Sequence, residues 1–239
     1  MPVSEVVSSW GLDVLFPRLG AARPVGSATS ATGVQPAADD PAVVNSRALP
    51  RFLTHVRTGP APVLLDLGPV VGSNVTFFGE QLNCKVHIED LHSDIDRHLR
   101  DGRTGQLPAF LSKRFSQEAG TVDGVLLWDV CDYLDRPSAQ ALATTLVRLL
   151  RDGGALLGFF GTSGYVSTGV TKFIVLDPSH VQPHAHPSAA VRQRPLTNRE
   201  IATMFDGLSV SESFLLKSGL REMLFRKGGG RPAGSEPGR

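Results

Sequence analysis

The stretch Val63-Leu64-Leu65-Asp66-Leu67-Gly68-Pro69-Val70-Val71-Gly72-Ser73-Asn74 narrows the folds open to this chain more than any other. Its apolar run shows no polar alternation, so Val63 to Leu67 reads as a strand buried on both faces, as in a parallel sheet covered by helices. The run carries an acid, Asp66, and breaks at Gly68. Gly68 and Gly72 permit a tight turn whose backbone a ligand can approach closely. Ser73 or Asn74 is suited to cap a helix from Val75 to Leu82, whose first N–H groups and dipole face the turn. Strand, glycine turn and helix in this order make a nucleotide-cofactor site.

The chemistry of the turn narrows the ligand. The glycines are not spaced GxGxxG, as a pyrophosphate cradle requires, and the lysine of a phosphate-binding P-loop is absent. A carboxylate at a strand's end suits a cationic or hydroxylated ligand better than a phosphate. Lys85 to Leu91 reads as a second strand, ending in the paired acids Glu89 and Asp90. Glu89 follows Asp66 by about 23 positions, near the separation expected of a ribose-binding acid in a doubly wound sheet. A carboxylate there accepts bonds from both ribose hydroxyls. Spacing favours Glu89. A one-residue change of register gives the role to Asp90, whose other reading is the cap of the next helix.

The rest of the chain alternates in the same manner. Pro41 to Gly59 is helical in pattern, with Val44, Ala48, Phe52 and Val56 on one stripe and Pro50 as a kink. Leu91 to Gln117 suggests two short amphipathic helices split by Asp101 to Gly105, with a weakly signalled strand near Ser112 to Gln117. Val125 to Leu127 is a buried strand, and Trp128, Asp129 and Asp132 follow at its C-terminal end, where open α/β sheets bind ligands. Trp128 either walls a pocket or fills the core; Asp129 either faces a ligand or caps a helix. Pro137 to Leu150 is an amphipathic helix stopped by Gly153-Gly154, and Ala155 to Phe160 is the next strand.

Gly161 to Pro195 breaks the alternation. Thr171 to Asp177 has a strand's composition, and His180, His184 and His186 follow among prolines. Without a cysteine partner or a rigid element beneath them, they point to a lid over a pocket rather than to a metal site. Thr197 or Asn198 caps a helix through Phe205. Leu208 to Leu216 and Leu220 to Arg226 alternate on either side of Lys217-Ser218-Gly219, the pattern of an antiparallel hairpin.

These stretches, in this order, resemble the class I S-adenosylmethionine-dependent methyltransferases. Asp66, Gly68 and Gly72 match the family's D/E-x-G-x-G-x-G motif, with Val70 at the middle glycine. Asp90-Leu91 matches its usual D-[IL] strand ending, and Asp123, Val125, Val130, Tyr133 and Leu134 match the outline of its fourth strand and rim. Leu149 to Leu156 is similar to its L-K-P-G-G-x-L segment, with Asp152 in place of proline. No residue matches the family's adenine-contacting acid; Ser116 and Gln117 stand nearest by position. The resemblance implies a Rossmann-like, seven-stranded, mostly parallel α/β sheet with helices on both faces and an antiparallel C-terminal hairpin. It spans 41–227, between a mobile segment at 1–40 and a disordered tail at 228–239. It implies S-adenosylmethionine as cofactor, with Asp66, Gly68, Pro69, Gly72, Asn74, Glu89, Asp90, Leu91, Trp128 and Asp129 around it. Asp129, His180 and His184 are the titratable side chains considered for a base.

Composition limits the acceptor. With 24 Lys and Arg against 23 Asp and Glu, the chain offers no basic surface for nucleic acid or an anionic membrane. No apolar run is long enough to span a bilayer, no secretory signal opens the chain, and the two cysteines, Cys84 and Cys131, read as buried thiols of a reduced, cytoplasmic protein. The expected activity is methyl transfer to a small molecule. Two alternatives stand beside it: a non-catalytic methyltransferase-like partner protein, and a nicotinamide-dependent oxidoreductase. Oligomeric state is not readable.

Overall fold

The computed structural model describes residues 42–58, 60–166 and 169–228. The expected segment at 1–40 and all but the first residue of the expected tail lie outside the described residues. The elements run β1 (Val44–Asn45), α1 (Leu49–Val56), β2 (Val63–Asp66), α2 (Gly72–Leu82), β3 (Lys85–Ile88), α3 (Leu91–Arg100), α4 (Leu107–Leu111) and β4 (Val122–Trp128). They continue with α5 (Arg136–Leu149), β5 (Leu150–Gly161), β6 (Val170–Asp177), β7 (His180–His186), α6 (Asn198–Met204), β8 (Leu208–Leu215) and β9 (Leu220–Lys227).

The main sheet has the order β3-β2-β4-β5-β9-β8. β3, β2, β4 and β5 are mutually parallel. β9 runs antiparallel to β5, and β8 antiparallel to β9. Alternate strand residues feed two cores. Leu64, Leu126 and Leu157 pack with Phe52 of α1 and Phe78 of α2. Leu65, Val125, Leu127 and Leu156 pack with Ile95 of α3, Leu111 of α4, Leu146 of α5 and Ile201 of α6. Helices therefore cover both faces, which is why β4 is buried along its whole length.

The expected seven strands are six in this sheet. Ser112 to Gln117 forms no strand, and β3 is the sheet's edge. The segment is polar, and its Arg114 turns onto Glu89 and Asp94 with bonds of 2.6 Å each, while Phe115 enters the core. Two helix starts also differ from expectation. Pro50 lies in the first turn of α1 rather than kinking it, because a missing N–H costs nothing there. α2 begins at Gly72, its N-cap is Val71, and no side chain caps it.

The histidine-rich stretch expected to be a loop is strand β7. It pairs antiparallel with β6 and, through His180 and Val181, with β1. The three strands make a second, small sheet. Asn74 fastens this sheet to α2: its Nδ2 donates to the Phe173 carbonyl, and its Oδ1 accepts from Val175 N, both at 2.8 Å. Among the described residues no helix is long and apolar enough to cross a membrane.

Candidate functional site

In a doubly wound sheet the ligand crevice opens where neighbouring strands send their connections to opposite faces. β2 leads into α2 on one face, and β4 leads into α5 on the other. The crevice therefore lies between the C-terminal ends of β2 and β4, at Asp66 and Trp128. Both residues stand at these strand ends, and they are in contact with each other. Trp128 Nε1 donates to Asp66 Oδ1 at 2.6 Å, and Gly68 N donates to the same oxygen at 3.0 Å.

The indole thus lies across the glycine turn. A Cβ at Gly68 would stand 2.6 Å from Trp128 Cδ1, so the turn needs glycine to admit the ring. Trp128 stacks on Phe173 of β6, with centroids 5.2 Å apart and planes inclined by 11°, and on Phe159 of β5 at 5.8 Å. It is 2% exposed. Its φ of 51° puts a bulky residue in the left-handed region, a strained conformation that persists only where surrounding contacts enforce it. Burial pushes the Asp66 carboxyl up to about 6, against the opposing pull of its bonds from Trp128 and Gly68; the charge of Asp90 adds to the rise.

The other expected residues are distributed around this centre. Pro69 is buried beside Gly68, while a Cβ at Gly72 would meet nothing within 4 Å. Asn74 is spent on β6, its amide holding the small sheet. Glu89 N bonds the Asp66 carbonyl, which sets the two acid-bearing strand ends side by side. Glu89 Oε2 accepts from Arg114 Nη1 at 2.6 Å and Oε1 from Gln117 Nε2 at 3.0 Å, so both oxygens are already oriented. Asp90 takes the capping role, accepting from Ser93 N and Ser93 Oγ. Leu91 is fully buried, and its N–H bonds the Leu67 carbonyl.

Asp129 is 0% exposed and faces two residues that sequence reasoning does not group with it. His92 Nε2 lies 3.6 Å from Asp129 Oδ1. Tyr133 Oη lies 3.4 Å from Asp129 Oδ2 and donates to the Gly169 carbonyl at 2.7 Å. His180, by contrast, bonds Asp177 within its own turn, and His184 pairs with Lys172 across the small sheet. Among the described residues, no group of three or more His, Cys, Asp or Glu could hold a metal ion.

Residues 186–192 form a strap beside these groups. Asp96 holds the strap to α3, accepting from Ser188 Oγ at 2.6 Å and Ala189 N at 2.9 Å. Although partial burial works against its charge, these bonds and one from the Ala190 amide hold Asp96 below the usual carboxylate range. Arg192 pairs with Asp132 and lies over the Tyr165 ring at 4.3 Å. Burial lifts Asp132 to about 6, although Arg192 opposes the rise.

No family model matches the chain, and no curated protein matches it. Among solved structures it is similar to the 1,6-didemethyltoxoflavin-N1-methyltransferase of Burkholderia thailandensis, crystallised with 1,6-didemethyltoxoflavin and S-adenosylhomocysteine. That likeness has 19% identity over 76% of this chain and 77% of the other, with a TM-score of 0.45. It is also similar to a geranyl diphosphate methyltransferase in complex with S-adenosylmethionine, at 13% identity, 75% and 84% coverage and a TM-score of 0.46. A third is the glycopeptide N-methyltransferase MtfA, complexed with S-adenosylmethionine, at 17% identity, 77% and 94% coverage and a TM-score of 0.40. At these identities and scores, what the crevice binds has to be argued from its own residues.

Proposed function

We propose that the chain binds S-adenosylmethionine at the crevice between β2 and β4 and transfers its methyl group to a small-molecule acceptor. The observation that carries this reading is the pairing of two acid-bearing parallel strand ends beside a glycine turn. Asp66 and Glu89 end adjacent strands, and neither a phosphate-binding glycine pattern nor a lysine accompanies them. Such a site suits a cationic, hydroxylated ligand. Glu89, braced by Arg114 and Gln117, would accept the ribose hydroxyls. Asp66, Gly68, Pro69 and Gly72 would face the cationic amino-acid end, with Asn74 fixing the helix behind them. Leu91, fully buried in the core, would support this end from behind the Asp90 cap and not touch the ligand, and Trp128 and Asp129 would line the rim. The donor carries an activated methyl on sulfur, so the protein has mainly to align the reactants and exclude water.

A second reading, a non-catalytic partner protein, is favoured by one observation: the Trp128 indole occupies the crevice and bonds Asp66. Under the first reading the ring must leave when ligand enters. Thermal melting with S-adenosylmethionine, S-adenosylhomocysteine, NAD and NADP separates the readings. A ligand at 100 times its Kd adds about 2.7 kcal/mol, or roughly 5–11 °C for a domain of this size. A rise with both S-adenosyl ligands that is lost in Glu89→Ala supports the cofactor site, and transfer of labelled methyl from S-adenosylmethionine to a small acceptor then separates methyl transfer from non-catalytic binding without turnover. No rise in the wild type, with none in Trp128→Ala, supports the non-catalytic reading, and a rise with NAD or NADP alone overturns both.

A further inference from the structure

His92 and Asp129 are both buried, at 3% and 0% exposure, and both carry polar atoms without a hydrogen bond. The atoms are Nδ1 and Nε2 of His92 and Oδ1 of Asp129. The His92 Nε2 to Asp129 Oδ1 distance of 3.6 Å exceeds a hydrogen bond. Buried polar groups are almost always paired, so three unpaired atoms at one point need a partner that is not part of the fold. Their location is informative. His92 is the second residue of α3, just past the end of β3, and Asp129 directly follows β4. The two side chains therefore meet over the end of β2, the strand that lies between β3 and β4.

Space lies on both sides of the strap, and His92 itself lines the smaller part of it. A cavity of about 30 Å³, roughly one water, is lined by His92, Asp96, His186 and Ser188. A cavity of about 320 Å³ is lined by Tyr133, Gly169, Arg192 and strap residues 188–191. The second is large enough for a small aromatic or aliphatic molecule. The Tyr133 ring meets the His92 ring edge-on, with centroids 5.4 Å apart, so Tyr133 stands between this cavity and the pair and its movement would open one to the other.

We infer that His92 and Asp129 receive the nucleophilic O–H or N–H of the methyl acceptor, an assignment that rests on the methyl-transfer reading. The acceptor's lone pair forms the new bond to the methyl carbon. The carbon–sulfur bond breaks, and its electron pair returns to sulfur, which becomes a neutral thioether. The acceptor's proton passes to a His92 ring nitrogen, and the Asp129 carboxylate stabilises the resulting imidazolium. The acceptor class is a small molecule with an ionisable hydroxyl or amine, admitted beneath the strap.

The probe is 4-nitrophenol, whose colour reports its own ionisation. It is added to the full chain with and without S-adenosylhomocysteine, and the His92 ring is followed by NMR in histidine-labelled protein. The expected result is that bound 4-nitrophenol is more ionised than free 4-nitrophenol at the same pH, and that the His92 ring signals move as it binds. In His92→Gln the extra ionisation is lost while melting with S-adenosylhomocysteine is unchanged, and in Asp129→Asn the extra ionisation falls. His92 signals that do not move, or extra ionisation that survives His92→Gln, would overturn the assignment. The two ideas fail separately. Binding of S-adenosylhomocysteine without any response at His92 sinks the acceptor site alone. A His92 response without S-adenosylhomocysteine binding overturns the methyl-transfer reading and, with it, the role of the pair in accepting the proton.

Discussion

At the scale of single residues, the crevice is governed by Asp66, Gly68 and Trp128. Asp66 is legible in the sequence as the acid at the end of a buried strand; its neighbour across the crevice is legible only as a tryptophan with two possible roles. Sequence does not carry the left-handed backbone at Trp128 that turns the indole onto Gly68. The raised Asp66 carboxyl has a definite sign. The folded chain holds this proton up to about pH 6, whereas the unfolded chain releases it near 3.8. Its contribution to stability is thus full below 3.8, declines as pH rises, and levels off above about 6. A shift of this size corresponds to about 3 kcal/mol. Asp66→Asn removes this titration, so relative to wild type the variant should gain roughly 2–3 kcal/mol between pH 4 and pH 7.5. Urea unfolding of both proteins at the two pH values measures it, and other carboxylates cancel in the difference. An unchanged difference would mean that Asp66 is not buried in the folded chain. Gly68→Ala should cost about 1–3 kcal/mol by overpacking against the indole. Because the two sites touch, that cost should largely vanish in a Trp128→Ala background, which a double-mutant cycle reads directly.

At the scale of elements, the units legible in the sequence are those with a continuous pattern. β2, α5 and the pair β8 and β9 can be read from apolar runs or alternation close to their observed bounds, and of β4 the three residues Val125 to Leu127. Hidden are the elements held by distant partners. The start of α1 is fixed from β9: buried Glu222 accepts from Ser46 Oγ at 2.7 Å, Ala48 N at 2.9 Å and Arg47 N at 3.0 Å. Ser46 Oγ in turn accepts from Leu49 N. Glu222 looks like any polar residue of an alternating strand, and nothing local announces that it serves a helix more than 170 positions away. Its negative charge also faces the positive end of the helix dipole. Glu222→Ala should cost about 3 kcal/mol or more, since bonds to a charged acceptor are lost and donors are left buried. Glu222→Gln, which still accepts, should cost less. Hydrogen exchange will show α1 amides losing protection first in the alanine variant; equal loss across the sheet would argue against a local anchor. β7 escapes a sequence reading for a related reason. Its three histidines and Pro183, with further prolines on either side, suggest a loop, but its ladder to β6 and β1 depends on pairing that the local composition does not reveal.

At the scale of the whole molecule, the two sheets meet at the crevice. The main sheet supplies Asp66, Trp128 and Phe159, and the small sheet closes over them with Phe173, fastened by Asn74 to the first turn of α2. Ligand entry at this point therefore requires Trp128 and Phe173 to separate. Affinity for any ligand is then reduced by the fraction of molecules in which the crevice is open. The chain has only two tryptophans, so a Trp10→Phe variant leaves Trp128 as the sole indole and its fluorescence as a direct report of the crevice. Buried against two phenyl rings, Trp128 should emit as an apolar-environment indole in the free protein. If S-adenosylhomocysteine binds at the crevice, emission should change on binding with a slow phase that does not accelerate with ligand concentration, because ring movement comes first. Phe173→Ala removes the stacked partner and should raise the open fraction, speeding that phase several-fold and tightening apparent binding as well. Ligand binding with no change at Trp128 would mean that the ligand enters elsewhere. A phase that speeds in proportion to ligand and is indifferent to Phe173→Ala would mean that the ring does not gate entry.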